Sequence, residues 1–360
     1  MGLKSGEHGV KALFRRVAPD AFYDAPSLSA VRDAVCGAPE TDAAATARVR
    51  AVAVLDGNVL LMSVPESMRS FDELCAAFAA HVDAALRCAS VVLVVFDEPE
   101  HTTQAKREEQ RARDAARAAR QPVCSDDVTL AALRVPDTLD ELRSHPDVHA
   151  LKAVRAARTV LYDAVCHWAC HRYARRCCGS PDGDTVVFDG LDPRGFERAP
   201  DAARDAWIVG FGARADAFEA REERIGEGDL KLVWAERRVR ELARDDARFA
   251  AVALVLVCTI DTDVLMTSLL QQAELRRRAA EDPDAEVRAI VCMRNARGRG
   301  AAAAERPAYA CCDPVQLERR VCAHLWSARA PADEERALGV AVVCAAAAAC
   351  GCDFTRAGVP

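Results

Sequence analysis

Two Val-rich runs, Arg48–Leu55 and Ala89–Phe96, each end on an acid, Asp56 and Asp97, and a longer one, Ala250–Cys258, is followed by Asp261 and Asp263. Short continuous apolar runs of this kind are the mark of strands buried on both faces, the situation of a parallel sheet. Between the first two lies a helix signal: Ser70 and Glu73 have capping-box spacing, and Phe71, Leu74, Phe78, Val82 and Leu86 recur every three or four residues. Strand, helix, strand predicts a right-handed βαβ unit.

Further strands are expected at Thr185–Phe188 and Trp207–Phe211, and helices at Glu227–Ala243, Pro314–Trp326 and Glu334–Ala349. The expected architecture is α/β, a doubly wound and mostly parallel sheet flanked by helices. Ligands in such folds sit beyond the carboxyl ends of the strands, which puts Asp56, Asp97, Asp261 and Asp263 on one rim. From His101 to Gly179 Ala and Arg dominate and apolar residues return at helical spacing around Val154–Tyr173, so residues 101–180 read as a helical, arch-like insertion within a single domain spanning 1–360. At 360 residues and 51% apolar content there is material for a sizeable core.

Charge narrows the function classes. The net charge is −7, which excludes a protein that coats itself in nucleic acid through bulk positive charge. Arg supplies all but five of the 48 basic residues, so Arg abundance alone carries little meaning. No apolar run approaches the ~20 residues needed to cross a bilayer, and the N-terminus lacks the apolar core of a signal peptide. The expectation is an intracellular protein of nucleus or cytoplasm, neither secreted nor membrane-bound, whose 16 Cys are reduced and mostly buried. No GxxxxGK[ST] or GxSxG motif occurs, and Gly210-Phe-Gly212 lacks the third Gly of a dinucleotide fingerprint. NTPase, serine hydrolase and dehydrogenase readings drop out. Cys166, His167, Cys170 and His171 crowd together, but without paired CxxC spacing they read as buried thiols with partly exposed His rather than as a zinc site.

Acids collect at five places: Asp56, Asp97, Glu227 with Asp229, Asp261 with Asp263, and Asp353. Taken singly, each reads as a helix cap or solvated turn. Converging on one rim they would repel one another unless cations neutralised them, which points to a hard-metal site, Mg²⁺ by preference and Mn²⁺ as a substitute. Two such ions about 4 Å apart generate hydroxide and stabilise a leaving oxygen, the chemistry of phosphodiester hydrolysis.

These residues resemble the 5′-nuclease superfamily, the PIN-like nucleases that include flap endonucleases, XPG and the Xrn 5′→3′ exoribonucleases. The opening Met1-Gly-Leu-Lys4, Leu55-Asp56-Gly-Asn58, Phe96-Asp97-Glu98, Gly226-Glu227-Gly228-Asp229-Leu230-Lys231, Ile260-Asp261-Thr262-Asp263 and Gly351-Cys352-Asp353-Phe354 carry the likeness, nearest to the Xrn catalytic region. Ala105-Lys106-Arg107-Glu108-Glu109-Gln110-Arg111-Ala112-Arg113 is similar to the Xrn segment whose Lys, Gln and Arg hold a 5′-monophosphate. On a helix Lys106, Gln110 and Arg113 share a face, and His101–Gln121 carries six basic and three acidic residues.

The resemblance implies a Mg²⁺-dependent 5′→3′ nuclease with the seven acids as catalytic metal ligands. Lys106, Gln110, Arg111, Arg113 and Lys231 would face a single-stranded substrate with a 5′ end, RNA ahead of a DNA flap. One departure is that Glu98 stands where the family has Gly, and the expectation is a chain without the C-terminal helix-hairpin-helix of flap endonucleases. Alternatives are a structure-specific DNA nuclease and a catalytically weak nucleic-acid-binding relative.

Overall fold

A computed structural model describes residues 10–37, 50–65, 67–98, 104, 108, 111–112, 136, 138–152, 155–177, 183–190, 208–219, 224–261, 263–279, 287–294, 308–326 and 333–349. The strands are β1 Phe22–Ala25, β2 Ala51–Asp56, β3 Val91–Val95, β4 Thr185–Asp189, β5 Ile208–Phe211, β6 Leu254–Thr259, β7 Arg288–Arg294 and β8 Tyr309–Cys312. The helices are α1 Val10–Val17, α2 Leu28–Cys36, α3 Gly57–Met62, α4 Phe71–Leu86, α5 Leu139–Ser144, α6 Val148–Leu151, α7 Arg155–Cys177, α8 Asp216–Glu219, α9 Gly228–Asp245, α10 Asp263–Ala279, α11 Pro314–Leu325 and α12 Asp333–Ala349. The chain divides into two compact units, Met1–Leu55 with Arg87–Ser90 and Leu232–Pro360, and Asp56–Leu86 with Val91–Lys231.

In the first unit the strand order is β1-β8-β7-β6-β2. β2 pairs with β6 and β6 with β7 in parallel, with Leu55 opposite Cys258 and Cys258 opposite Cys292. Every residue of β2 and β6 is buried, so both faces of these strands are covered, as their apolar runs require. α2 packs on β6 and β1, α10 and α11 on β7, and α12 against both α10 and α11. Asp313 caps α11, accepting from the backbone N–H of Val315 at 2.9 Å and Gln316 at 3.3 Å, with Pro314 in the first turn where its missing N–H is not needed.

In the second unit β3 and β4 pair in parallel, Val95 opposite Asp189, and β5 joins β4 antiparallel. α4 and α3 pack on β3, and α7 packs on α4, β4 and β5. The expected capping box is present: Ser70 Oγ accepts from the Glu73 amide at 3.2 Å, and Glu73 Oε2 accepts from the Ser70 amide at 3.0 Å.

The α/β class and the parallel interior stand as expected. The margins differ: β1, β8 and β5 are antiparallel to their neighbours, making a mixed sheet. Within the insertion helices are described in α5, α6 and α7 and helical residues at 104, 108 and 111–112. The described cysteines are free thiols and all but Cys36 are buried, burial pushing up the thiols of Cys75, Cys166 and Cys170 among others. Among the described residues no helix is long and apolar enough to cross a membrane.

Candidate functional site

Past β3 the chain continues as Phe96, Asp97 and Glu98. The Phe96 amide donates to the Asp189 carbonyl at 2.8 Å, carrying the ladder one step beyond the strands. Gly190, which follows β4, has φ +106°, and a Cβ there would lie 2.7 Å from the Phe96 carbonyl oxygen and 2.8 Å from Lys231 Nζ, so only glycine fits.

Two hydrogen bonds then fasten the Gly226-Glu-Gly-Asp turn to this strand end. The Glu98 amide donates to the Gly226 carbonyl at 2.7 Å, and the Gly228 amide donates to Asp97 Oδ1, also at 2.7 Å. A side chain at Gly228 would place its Cβ 3.0 Å from that carboxylate oxygen, a tight contact that would push on Asp97. Gly228 opens α9, so Asp97 accepts a backbone N–H at a helix N-terminus, where the helix dipole favours a negative charge. Asp97 is half-buried, and its second oxygen makes no hydrogen bond to the described residues. Glu227 is buried and Asp229, in the first turn of α9, half-buried.

Behind these acids lies a buried ionic network. Lys231 is fully buried; its ammonium donates to the Phe96 carbonyl at 2.9 Å and to Glu98 Oε1, and lies 3.1 Å from Asp189 Oδ1. Arg224 pairs with the other oxygen of Glu98. Two carboxylates and two cations are thus matched, which a buried set needs, because any unpaired member would carry its full desolvation cost. Lys231, expected among the substrate groups, instead ties β3, β4 and the first turn of α9 together. Glu98 is the acid that receives both cations. Asp189, Gly190 and Arg224 were not singled out from the sequence, although Val186-Val-Phe-Asp189-Gly190 repeats the strand-then-acid pattern of the other strand ends.

Asp56, the last residue of β2, is nearly buried and caps α3, its Oδ1 accepting from the Val59 amide at 3.1 Å. The far end of that short helix is held by Lys152, buried, whose ammonium donates to the Leu61 carbonyl at 2.7 Å. Burial pushes the Lys152 pKa down to about 8. Burial raises the Tyr162 pKa to about 12, and the Asp56 charge adds to the rise.

In the other unit, β6 ends at Thr259 and the chain turns through exposed Ile260. The Asp261 amide donates to Thr259 Oγ1 at 3.0 Å, and the Asp263 amide donates to Asp261 Oδ1 at 3.0 Å. Asp263 is buried and opens α10; Asp261 is half-buried. Among the described residues no group of three or more His, Cys, Asp or Glu side chains is placed to hold a metal ion. Asp353 lies outside the described residues, as do Lys106, Gln110 and Arg113; Arg111 is exposed on a helical turn. The donor set is carboxylate oxygen throughout, which suits Mg²⁺, and the open oxygen of Asp97 is where such a ligand is available. Cys166, His167 and Cys170 point into the core of α7's packing face.

No family model matches the sequence, and no curated protein matches it.

Proposed function

We propose that the chain is a metal-dependent 5′→3′ nuclease that hydrolyses phosphodiester bonds from the 5′ end of a single strand, RNA ahead of DNA. What supports the reading most is the Gly228–Asp97 hydrogen bond at 2.7 Å, because it joins two acid-bearing motifs 131 residues apart in one corner of the fold. Each motif alone is a commonplace strand end or turn. Tied together, with one oxygen of Asp97 fixed by a backbone amide and the other open, they make an oriented carboxylate beside Glu227 and Asp229.

Asp56, Asp97, Glu227, Asp229, Asp261, Asp263 and Asp353 are the proposed ligands of two Mg²⁺ ions. Bound there, Mg²⁺ supplies a water of lowered pKa and charge stabilisation at the leaving oxygen. The protein's own contribution is orientation. The Gly228 amide fixes Asp97, the Lys231–Glu98–Asp189–Arg224 set holds the turn that carries Glu227 and Asp229, and Asp261 holds the backbone that carries Asp263. Lys106, Gln110, Arg111 and Arg113 are the proposed receptor for the terminal phosphate, through charge-assisted hydrogen bonds.

The test is cleavage of labelled RNA carrying either a 5′-phosphate or a 5′-hydroxyl. The reading expects the phosphorylated strand to be cut faster, and Lys106→Ala with Arg113→Ala to remove that preference more than it slows cleavage of a generic single strand. Equal rates on both ends in the unaltered protein would remove the pocket. Faster cutting of a DNA flap than of RNA would make the enzyme a structure-specific DNA nuclease.

A further inference from the structure

α7 has two faces. Leu161, Ala164, Val165, Ala169 and Tyr173 are buried on one, while Trp168, His171, Arg172 and Arg175, at i, i+3, i+4 and i+7, form one stripe on the other. Arg143, at the end of α5, closes the opposite side of this stripe, and together the five residues line an open cavity of about 480 Å³.

The cavity sets three guanidinium groups beside one aromatic ring. Arg172 is pinned: its guanidinium lies 2.9 Å from Asp83 Oδ2 and 5.9 Å from the centroid of the Trp168 ring, so ion pair and cation–π contact fix both side chains in advance. Arg175 Nε donates to the His171 carbonyl at 3.2 Å, which leaves its terminal N–H groups for a ligand. Among the described residues neither Arg175 nor Arg143 makes an ion pair with a carboxylate, and the acid paired with Arg172 is Asp83. In a chain of net charge −7, three arginines and a histidine around one aromatic ring are a local exception to the overall field.

We propose that this cavity is a second binding surface for single-stranded nucleic acid, with Arg143 and Arg175 taking backbone phosphates and Trp168 stacking on an unpaired base. Stacking on an aromatic side chain beside backbone-neutralising cations is how single strands are held without sequence preference. The ligand's identity rests on the nuclease reading, whereas the surface itself does not: it uses none of the seven acids and none of the residues proposed to hold the 5′-phosphate.

The experiment measures equilibrium binding of a labelled oligouridylate of about 20 nucleotides in EDTA, where nothing is cleaved, across a range of salt. Arg143→Ala with Arg175→Ala should weaken binding about tenfold or more at low salt and flatten the salt dependence by roughly 1.4, about 0.7 for each lost phosphate contact. Trp168→Ala should cost about fivefold or more on the single strand and little on a blunt duplex of equal length. Arg143→Lys with Arg175→Lys keeps the charge and should keep the slope, and matching melting temperatures show that the variants fold. Unchanged affinity and slope in the Ala pair overturns the proposal, as does an equal loss on the duplex for Trp168→Ala. Neither result touches the nuclease reading, which stands or falls on cleavage by the acid variants.

Discussion

The two acid-bearing corners hold their carboxylates by different means. At the ends of β3 and β4, Glu98 and Asp189 are buried with cations, Lys231 and Arg224, in direct contact. At the end of β6, the Asp261 carboxylate accepts the Asp263 amide, and the Asp261 amide donates to the Thr259 hydroxyl. A buried charge answered by a buried counter-charge is an all-or-none arrangement, since either partner alone is left stranded in a poor solvent. A carboxylate answered by amides is a local device whose loss frees one or two N–H groups. Acids of the same type at the same kind of strand end therefore differ in what they contribute: the first corner is structural scaffold around Asp97, the second a set of caps leading into α10.

The sharpest way to break this contrast is Lys231→Met. It removes the buried cation that Glu98 and Asp189 share and should destabilise the fold by about 3–5 kcal/mol in urea unfolding. Adding Glu98→Gln and Asp189→Asn to the same variant should restore much of the loss. A Lys231→Met protein as stable as the wild type would show that the network is not buried.

Gly190→Ala comes next. The added methyl would meet the Phe96 carbonyl and the Lys231 ammonium at a positive φ, and a loss of about 1–3 kcal/mol is expected by thermal melting. Asp261→Ala removes only the acceptor for the Asp263 amide, so about 1 kcal/mol should be lost. On the proposed reading, cleavage should nevertheless fall by on the order of a hundredfold or more in Asp261→Ala, since a proposed metal ligand is gone.

A pH-dependent effect belongs to Lys152. Its folded pKa of about 8 lies below the ordinary 10.5, so between these values the unfolded chain binds more protons and stability rises with pH. Below pH 8 the burial penalty is present in full. Lys152→Met should lack this rise, read as the difference between the two proteins' unfolding midpoints from pH 8 to 10. Tyr162, raised to about 12, opposes the trend only above its ordinary 10 and is common to both proteins.

What the sequence made readable follows from which signals are local. The Val-rich runs of β2, β3 and β6 and the Ser70–Glu73 box carry their structure within a few residues, and they fold where periodicity puts them. β1, β7 and β8 went unread: Phe22-Tyr-Asp-Ala25 is too short and polar for a pattern, and Cys292, Cys311 and Cys312 interrupt the run of Val and Ile that marks a buried strand. For β1 and β8, strand identity comes from the neighbour each pairs with, Phe22 opposite Cys312 and Tyr23 opposite Cys311. At the site, the acids could be named because strand-end Asp residues recur in one pattern. The partners of Glu98 could not, since Lys231 and Arg224 lie 133 and 126 residues away and nothing local marks either as buried. Lys231 in particular sits in a motif whose resemblance implies substrate contact, and only packing shows it turned inward.

The measurement that bears most directly on the account is digestion of 5′-labelled single-stranded RNA and flap DNA, side by side, with Mg²⁺ and then with excess EDTA. The account predicts cleavage with Mg²⁺ that starts at the 5′ end, favours RNA, stops in EDTA and is lost in Asp97→Ala and Asp263→Ala proteins whose melting shows them folded. Full activity in excess EDTA, or undiminished cleavage by those two variants, would contradict it.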